Sequence, residues 1–484
     1  MRRYFDTGRR LPLAGAGAAL VLQHLSSGYY LLYFTPFVAA YALWEIVARR
    51  AWRVRRIWVD LATLAVIVAA ATAPFLVPYL LLTDRLPALR GPDEIARYSA
   101  DVYAYLTAPQ DLTFWGDRLR IYPRPEGHLF PGLLPVALAI AGIVTWAGRS
   151  VAAASGTVSS RRREWAARLF LTAGLVYTTL AAAAIFERRL LIELGPVTVN
   201  ANDVTRLLAF AAAALVIVLI LSRRARSIAA ASARAPEGWA VALLVAAWWL
   251  SLGPRPTSFG AALDIAAPYA FLLEQIPGFT GTRVPARYAI VVAFALAVLA
   301  GFGLRAVERR RWGTIALIMA AVAFLAAVNV YPFPVNRVAP LSNLSPLERR
   351  IYPPAETPRV YAAVRRLPRD VVLVEFPFGQ PDHDRRAMYY STTHWRPLIN
   401  GYSGFYPPGY FTLVALLTDV QRRPERAWNA LRERGATHAL VHEAAYPGRG
   451  GVQVSEWLRA SGAEEIFRDG RDALFALPSN ASRR

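Results

Sequence analysis

The chain has 484 residues, 55% of them hydrophobic, and a formal net charge of +22. Its mean hydropathy is +0.30, too apolar for one soluble domain, and the apolar residues fall in long blocks, which places it among polytopic membrane proteins. It has no cysteine, so disulfides, thiol nucleophiles and thiolate metal sites are excluded.

All 55 basic residues are arginine. They crowd the short connections between apolar blocks, the pattern of charge retained on the cytoplasmic side of a membrane. The positive balance therefore reports orientation and not a nucleic-acid partner.

A membrane-crossing helix needs about 20 largely apolar residues. In chain order, such segments are expected at 11–23, 29–47, 57–82, 129–146, 167–186, 204–221, 239–252, 288–304 and 312–330. The stretch 11–47 is read as two helices joined by a turn at His24-Leu25-Ser26-Ser27-Gly28. As one helix at 1.5 Å per residue it would measure about 55 Å, far beyond a bilayer core. The start, MRRYFDTGRR, is basic, but no small-residue cleavage site follows it, so Leu11 onward is read as retained helix.

Loop charge orients the helices. Segments 1–10, 147–166, 222–238 and 305–311 carry four arginines each, and 48–56 carries five. The alternate connections are poorer: 24–28 has none, 187–203 two and 253–287 three, while 83–128 balances six arginines with seven carboxylates. About nine crossings put every arginine-dense loop in the cytoplasm, with the N-terminus inside and the C-terminus outside. The expected fold is a polytopic α-helical membrane domain over 1–330, a Pro-rich linker over 331–350, and a small extracytoplasmic α/β domain over 351–484. In that tail VVLVEF (371–376) and THALVH (437–442) read as buried strands. Segments 411–420, 427–435 and 454–462 read as helices, and EEIFRDG with DALFAL as a closing hairpin.

The outer loops carry the chemistry. Loop 83–128 holds the adjacent pair Asp93-Glu94 and ends in YPRPEGH, with Glu126 and His128 two residues apart. Carboxylates at a membrane face serve as bases or ligate a divalent cation. Their plainer roles are charge favouring a helix N-terminus for Asp93-Glu94, and solvated side chains on a stiff loop for Glu126 and His128. No cofactor motif is present. Arg283 and Arg287 flank Val284-Pro285-Ala286 just before an apolar segment, where planar guanidinium forks suit a lipid phosphate; the alternative is snorkelling to the headgroups. In the tail, His394, Trp395, Asn400 and Tyr402 mix rings and donors as carbohydrate-facing surfaces do, or else pack the tail against the membrane part. Asp382-His383-Asp384 reads as a solvated turn.

Four stretches, TGRRLPLAGAGAALVLQHLSSGYYLLYF, YPRPEGHLFPGLLPVALAIAGI, PGFTGTRVPARYAIVVAFALAVLAGFGL and STTHWRPLINGYSGFYPP, carry a resemblance. Together they make the chain resemble bacterial GT-C-type integral membrane glycosyltransferases, of the dolichyl-phosphate-mannose-type and YfhO-like group. The resemblance implies an active site on the outer face and transfer of a sugar from a polyprenyl-phosphate carrier. A carboxylate of the first outer loop would act as base, with cationic groups or a metal on the departing phosphate. In this chain the first outer turn, HLSSG, has no carboxylate, so that base is not carried over to any residue here. The N-terminal segment also resembles one lying several helices into longer relatives, implying that the sequence starts mid-protein. The expected function is therefore glycosyl transfer, alone or as part of a larger protein. The alternative is a non-catalytic membrane protein that binds or assembles lipid-linked glycans. Transport finds little support, for there is no internal repeat and little mid-helix charge.

Overall fold

The computed structural model describes residues 1–83, 92–154, 161–186, 191–194, 197–200, 203–276, 278–309, 312–327, 357–403 and 406–478. The chain divides into two compact units, Met1–Pro332 and Phe333–Arg484. The expected linker 331–350 and Asp84 lie outside the described residues.

The first unit is built of helices. They are α1 (Arg2–Thr7), α2 (Leu11–Ser26), α3 (Gly28–Ala48), α4 (Arg55–Thr83), α5 (Pro92–Arg97), α6 (Leu133–Ala153) and α7 (Arg161–Phe186). A small antiparallel pair follows, β1 (Leu191–Leu194) and β2 (Val197–Asn200). Then come α8 (Val204–Leu221), α9 (Arg223–Arg234), α10 (Pro236–Ser251), the two-residue strands β3 (Thr257–Ser258) and β4 (Ala261–Ala262), α11 (Pro268–Gln275), α12 (Ala289–Glu308) and α13 (Gly313–Ala327). Among the described residues, helices form over all nine apolar segments, the fourth beginning at Leu133 and not at 129, because each has few interior charges and the prolines inside α3 and α4 (Pro36, Pro74 and Pro78) do not break them. Among the described residues, six are long and apolar enough to cross a membrane: Gly28–Ala48, Arg55–Pro78, Leu133–Ala153, Arg162–Phe186, Val204–Leu221 and Pro285–Glu308.

These helices face outward with apolar side chains. On α4, Val66 and Ile67 are 68% and 58% exposed, and Ile220 on α8 is 68% exposed. In water each such side chain forgoes roughly 1.5–3 kcal/mol of burial. Repeated along whole helices, that pattern belongs to a chain whose surrounding solvent is lipid.

The helices pack through small residues. A Cβ on Gly303 of α12 would stand 1.8 Å from the Leu138 carbonyl oxygen of α6, and one on Gly142 of α6 would stand 2.5 Å from the Leu299 carbonyl oxygen. Bare glycines at both positions let the two backbones touch. The break between α2 and α3 is a single extended residue, Ser27, narrower than the expected turn. Arg49, just past α3, reaches back to the Phe5 carbonyl at 3.1 Å and to Asp6 at 2.5 Å, so the two helices form a hairpin.

Contacts segregate the connections into two ends. At one, Tyr4 and Arg10 meet Asp60 at 2.9 and 2.8 Å, the Trp44 indole donates to the Ala233 carbonyl at 2.7 Å, and Arg149 pairs with Glu237. At the other, the Tyr103 hydroxyl donates to the Phe186 carbonyl at 2.7 Å, Thr205 to the Asp264 carbonyl at 2.8 Å, and loop 98–130 meets loop 253–287. The arginine-dense segments 1–10, 48–56 and 222–238 share the first end.

The second unit is an α/β fold. Its helices are α14 (Arg359–Arg366), α15 (Pro381–His394), α16 (Tyr410–Leu417), α17 (Pro424–Glu433) and α18 (Gly450–Ala460). Its strands are β5 (Leu373–Phe376), β6 (His438–His442), β7 (Glu464–Asp469) and β8 (Asp472–Ala476). The sheet order is β5-β6-β8-β7, with β5 and β6 parallel and the other pairs antiparallel. Period-two alternation sends Val374, Phe376, Ala439, Val441, Ala473 and Phe475 to the face covered by α16, α17 and α18. Leu373, Leu440 and Leu474 face α14 and α15. By the same alternation Glu375, His442 and Asp472 point to that second face.

Candidate functional site

The acid-bearing end of the first unit is organised by Asp101. It follows α5 and caps a short 3-10 turn by accepting from the Tyr103 N–H at 3.1 Å. The same carboxylate accepts from the Thr257 hydroxyl at 2.8 Å and from the N–H groups of Phe259 and Gly260 at 3.1 and 3.0 Å. Arg124 lies 3.8 Å from it and donates to Thr257 at 3.0 Å. Asp101 is 1% exposed, so a charge that would be costly when bare is satisfied from four donors and a guanidinium. Gly260, at φ +77°, makes this possible: a Cβ there would lie 2.3 Å from the Tyr122 hydroxyl. Through Asp101, loop 98–130 and loop 253–287 form one platform.

On that platform the acidic and basic candidates meet. Arg283 faces Glu94 at 3.8 Å and its guanidinium lies 4.9 Å over the Tyr98 ring. Arg287 bonds Glu126 at 3.0 Å and lies 4.7 Å over the Tyr29 ring. Tyr29 joins the two halves, because its hydroxyl also accepts the Arg283 N–H at 3.1 Å. All four charged side chains are about one-third exposed. Beneath them lies a tyrosine layer. Tyr33 stacks on Tyr288 with centroids 4.0 Å apart, and its hydroxyl meets that of Tyr269 at 3.0 Å, which in turn meets Thr282 at 2.6 Å. Rings and carboxylates thus hold the guanidiniums at fixed positions, open to solvent on one side.

The other candidates separate from this cluster. Asp93 is 92% exposed and pairs with Arg255 at 2.8 Å. His128 is exposed. Glu126 has φ +58°, a left-handed backbone that a carboxylate side chain rarely adopts. Among the described residues no group of three or more His, Asp or Glu side chains is arranged to hold a metal ion.

The second unit corrects two readings. Asp382-His383-Asp384 is not a solvated turn: it is the first turn of α15, with His383 and Asp384 buried. Asp384 accepts from Asn400 at 2.9 Å, Tyr410 at 3.2 Å and the Gly379 N–H at 3.3 Å; burial still raises its pKa. Nor do the tail's aromatic and polar candidates form one carbohydrate-facing surface. His394 is 2% exposed and parallel to the Tyr361 ring, whereas Trp395 is 79% exposed and Tyr402 lies under the Arg385 guanidinium.

What sequence reasoning missed is a polar row on the sheet, buried at Tyr361 and Glu375 and partly buried at His442 and Asp472. His442 sets its two ring nitrogens 2.9 Å from Asp472 and 3.2 Å from Glu375. The Tyr361 hydroxyl donates to Glu375 at 3.0 Å. Burial opposes the His442 charge, but the two carboxylates outweigh it and raise the pKa to about 9. Burial and the nearby His442 push His383 down to about 4. The register His442↔Asp472 pairs the residues on adjacent strands. The available signal was His and Asp at the strand ends, on the face opposite Val441 and Ala473.

Compared with known proteins, the chain matches no family model, no curated protein and no solved structure.

Proposed function

We propose that this multi-pass membrane protein engages a polyprenyl-phosphate-linked sugar at its acid-bearing end and transfers that sugar, in the manner of GT-C-type glycosyltransferases. In this reading about nine helices cross the cell membrane. The arginine-dense end lies in the cytoplasm, and the acid-bearing end and the second unit lie outside.

The observation that carries the proposal is the pairing of Arg283 and Arg287 with Glu94 and Glu126 over Tyr98 and Tyr29. A phosphate presents the oxygens that guanidinium forks match. In transfer, the acceptor oxygen bonds to the anomeric carbon while the bond from that carbon to the phosphate oxygen breaks. The electron pair leaves on the polyprenyl phosphate, stabilised by Arg283 and Arg287, and the acceptor proton passes to a carboxylate. Glu126 is the better-placed base, because its strained backbone holds it at the loop tip.

One observation favours the non-catalytic alternative: both carboxylates already face the arginines. The same experiment separates the two readings. Membranes containing the full-length chain receive a labelled polyprenyl-phosphate hexose, and both retained donor and transferred sugar are counted. Transfer that falls about 100-fold or more in Arg283→Gln/Arg287→Gln supports the enzyme. Donor retained by the unaltered protein without transfer supports binding alone, and neither retention nor transfer refutes both.

A further inference from the structure

We infer that the arginine-dense end holds a headgroup site for an anionic phospholipid, in a cleft between the start of α1, the end of α6, the α9–α10 junction and α12. This inference rests on the helices lying in a bilayer and is independent of glycosyl transfer.

The cleft encloses about 410 Å³, and its lining includes Arg2, Trp146, Arg149, Ser150, Glu237 and Phe302. Three observations give it a ligand chemistry. The first is charge. Arg2 and Arg149 bring two positive charges and Glu237 one negative, and no other lining residue is charged, leaving a net charge of one. That matches one phosphodiester. Arg149 is spoken for by Glu237, which is 3% exposed, so Arg2 carries the surplus.

The second is an unused donor. The Trp146 indole N–H is buried and has no hydrogen-bond partner. A buried donor left unmet is costly, and a headgroup oxygen in the cleft would meet it. Gly238 lets the α9–α10 junction close beside the indole: a Cβ there would stand 2.1 Å from the Ser232 carbonyl oxygen and 3.2 Å from Trp146 Cζ2. Next to it, α10 begins at Pro236 with no side-chain cap, so its first N–H groups add to the positive field.

The third is continuity with the apolar surface. On α12, about one and two turns before the lining residue Phe302, Val298 and Phe294 are 36% and 51% exposed. A lipid whose phosphate sits in the cleft lays its acyl chains along them. Basic clefts between helix ends on the cytoplasmic side bind anionic headgroups by this logic.

The test uses the full-length protein in detergent, titrated with phosphatidylglycerol, with phosphatidylcholine and with inorganic phosphate, and lipid adducts counted by native mass spectrometry. Phosphatidylglycerol is expected to be retained in preference to phosphatidylcholine. Trp146→Phe, which removes the N–H together with one of the two indole rings, and Arg2→Gln, at an exposed position, should each lower that retention about tenfold. Arg224→Gln, on the exposed face of α9, should leave it unchanged. Equal retention of both lipids, competition by millimolar inorganic phosphate, or an Arg224→Gln loss as large as that of Arg2→Gln would overturn the inference. The first denies headgroup selectivity, the second points to a soluble anion, and the third to diffuse charge.

Discussion

The Asp101 carboxylate and the Thr257 hydroxyl, 156 residues apart in the chain, meet at 2.8 Å inside the acid-bearing end of the first unit. The bond is one of several that make a single buried carboxylate the fastening between two loops. One of those loops carries Glu126 and follows directly on α5, which carries Glu94; the other carries Arg283 and Arg287. The candidate site therefore depends on a residue that is not itself exposed to a ligand.

Asp101→Ala leaves the N–H groups of Tyr103, Phe259 and Gly260 without their acceptor. The expected loss is roughly 3–5 kcal/mol of stability, with Arg124 left near an empty position. Asp101→Asn, which keeps one acceptor oxygen, should lose less. Thermal unfolding of the purified protein in nanodiscs checks the order, with Ala below Asn and Asn below the unaltered chain. Equal midpoints would remove Asp101 from its fastening role.

Glu126→Gly separates strain from function. At φ +58° a glycine is favoured by about 0.5–1 kcal/mol, and the exposed ion pair it deletes is worth about the same or less. Stability should therefore hold or rise slightly while sugar transfer falls by at least tenfold. Glu126→Gln should lose transfer as well, without the gain in stability. Both readouts come from one preparation, and undiminished transfer in both variants would move the base elsewhere.

The pH dependence of the second unit has a definite sign. His442, with its folded pKa raised to about 9, contributes stability fully present below its unfolded value near 6.5 and lost as pH rises through about 9. His383, lowered to about 4, is buried neutral, so its contribution is present above 6.5 and lost as pH falls through about 4. Each unit of separation is worth about 1.4 kcal/mol. Hydrogen exchange of the β5, β6 and β8 amides in the full chain should show greatest protection near pH 6.5. In His442→Gln the decline on the alkaline side should flatten, and in His383→Gln the decline on the acid side.

The absence of cysteine makes sidedness directly measurable. Single cysteines at the exposed positions Asp117, Arg224 and Glu425 probe the acid-bearing end, the arginine-dense end and the second unit. In intact cells a membrane-impermeant maleimide should label Asp117→Cys and Glu425→Cys, and reach Arg224→Cys only after permeabilisation.

The helices of the first unit were legible because long apolar runs leave the backbone no other way to satisfy its hydrogen bonds in lipid. The strands β5 and β6 were legible as short apolar runs with β-branched residues. Helix α15 was not. Its buried stripe is His383, Ala387, Tyr390 and His394, at helical spacing, but two of the four are histidines and read as solvent-facing. The pairing of Arg283 with Glu94 and of Arg287 with Glu126 was hidden for another reason: 189 and 161 residues separate the partners, and nothing local in either segment names the other. Asp101 stood among seven loop carboxylates, distinguished only by an Asx-type cap before Val102-Tyr103.

The most direct test of the central claim is binding of a polyprenyl phosphate, against the same polyprenol without phosphate, to the full-length protein in nanodiscs. The phosphate form should bind at least tenfold more tightly, and Arg283→Gln/Arg287→Gln should erase that preference while unfolding at a temperature close to that of the unaltered chain. Equal binding of the two lipids, or a preference that survives the double substitution, would contradict it.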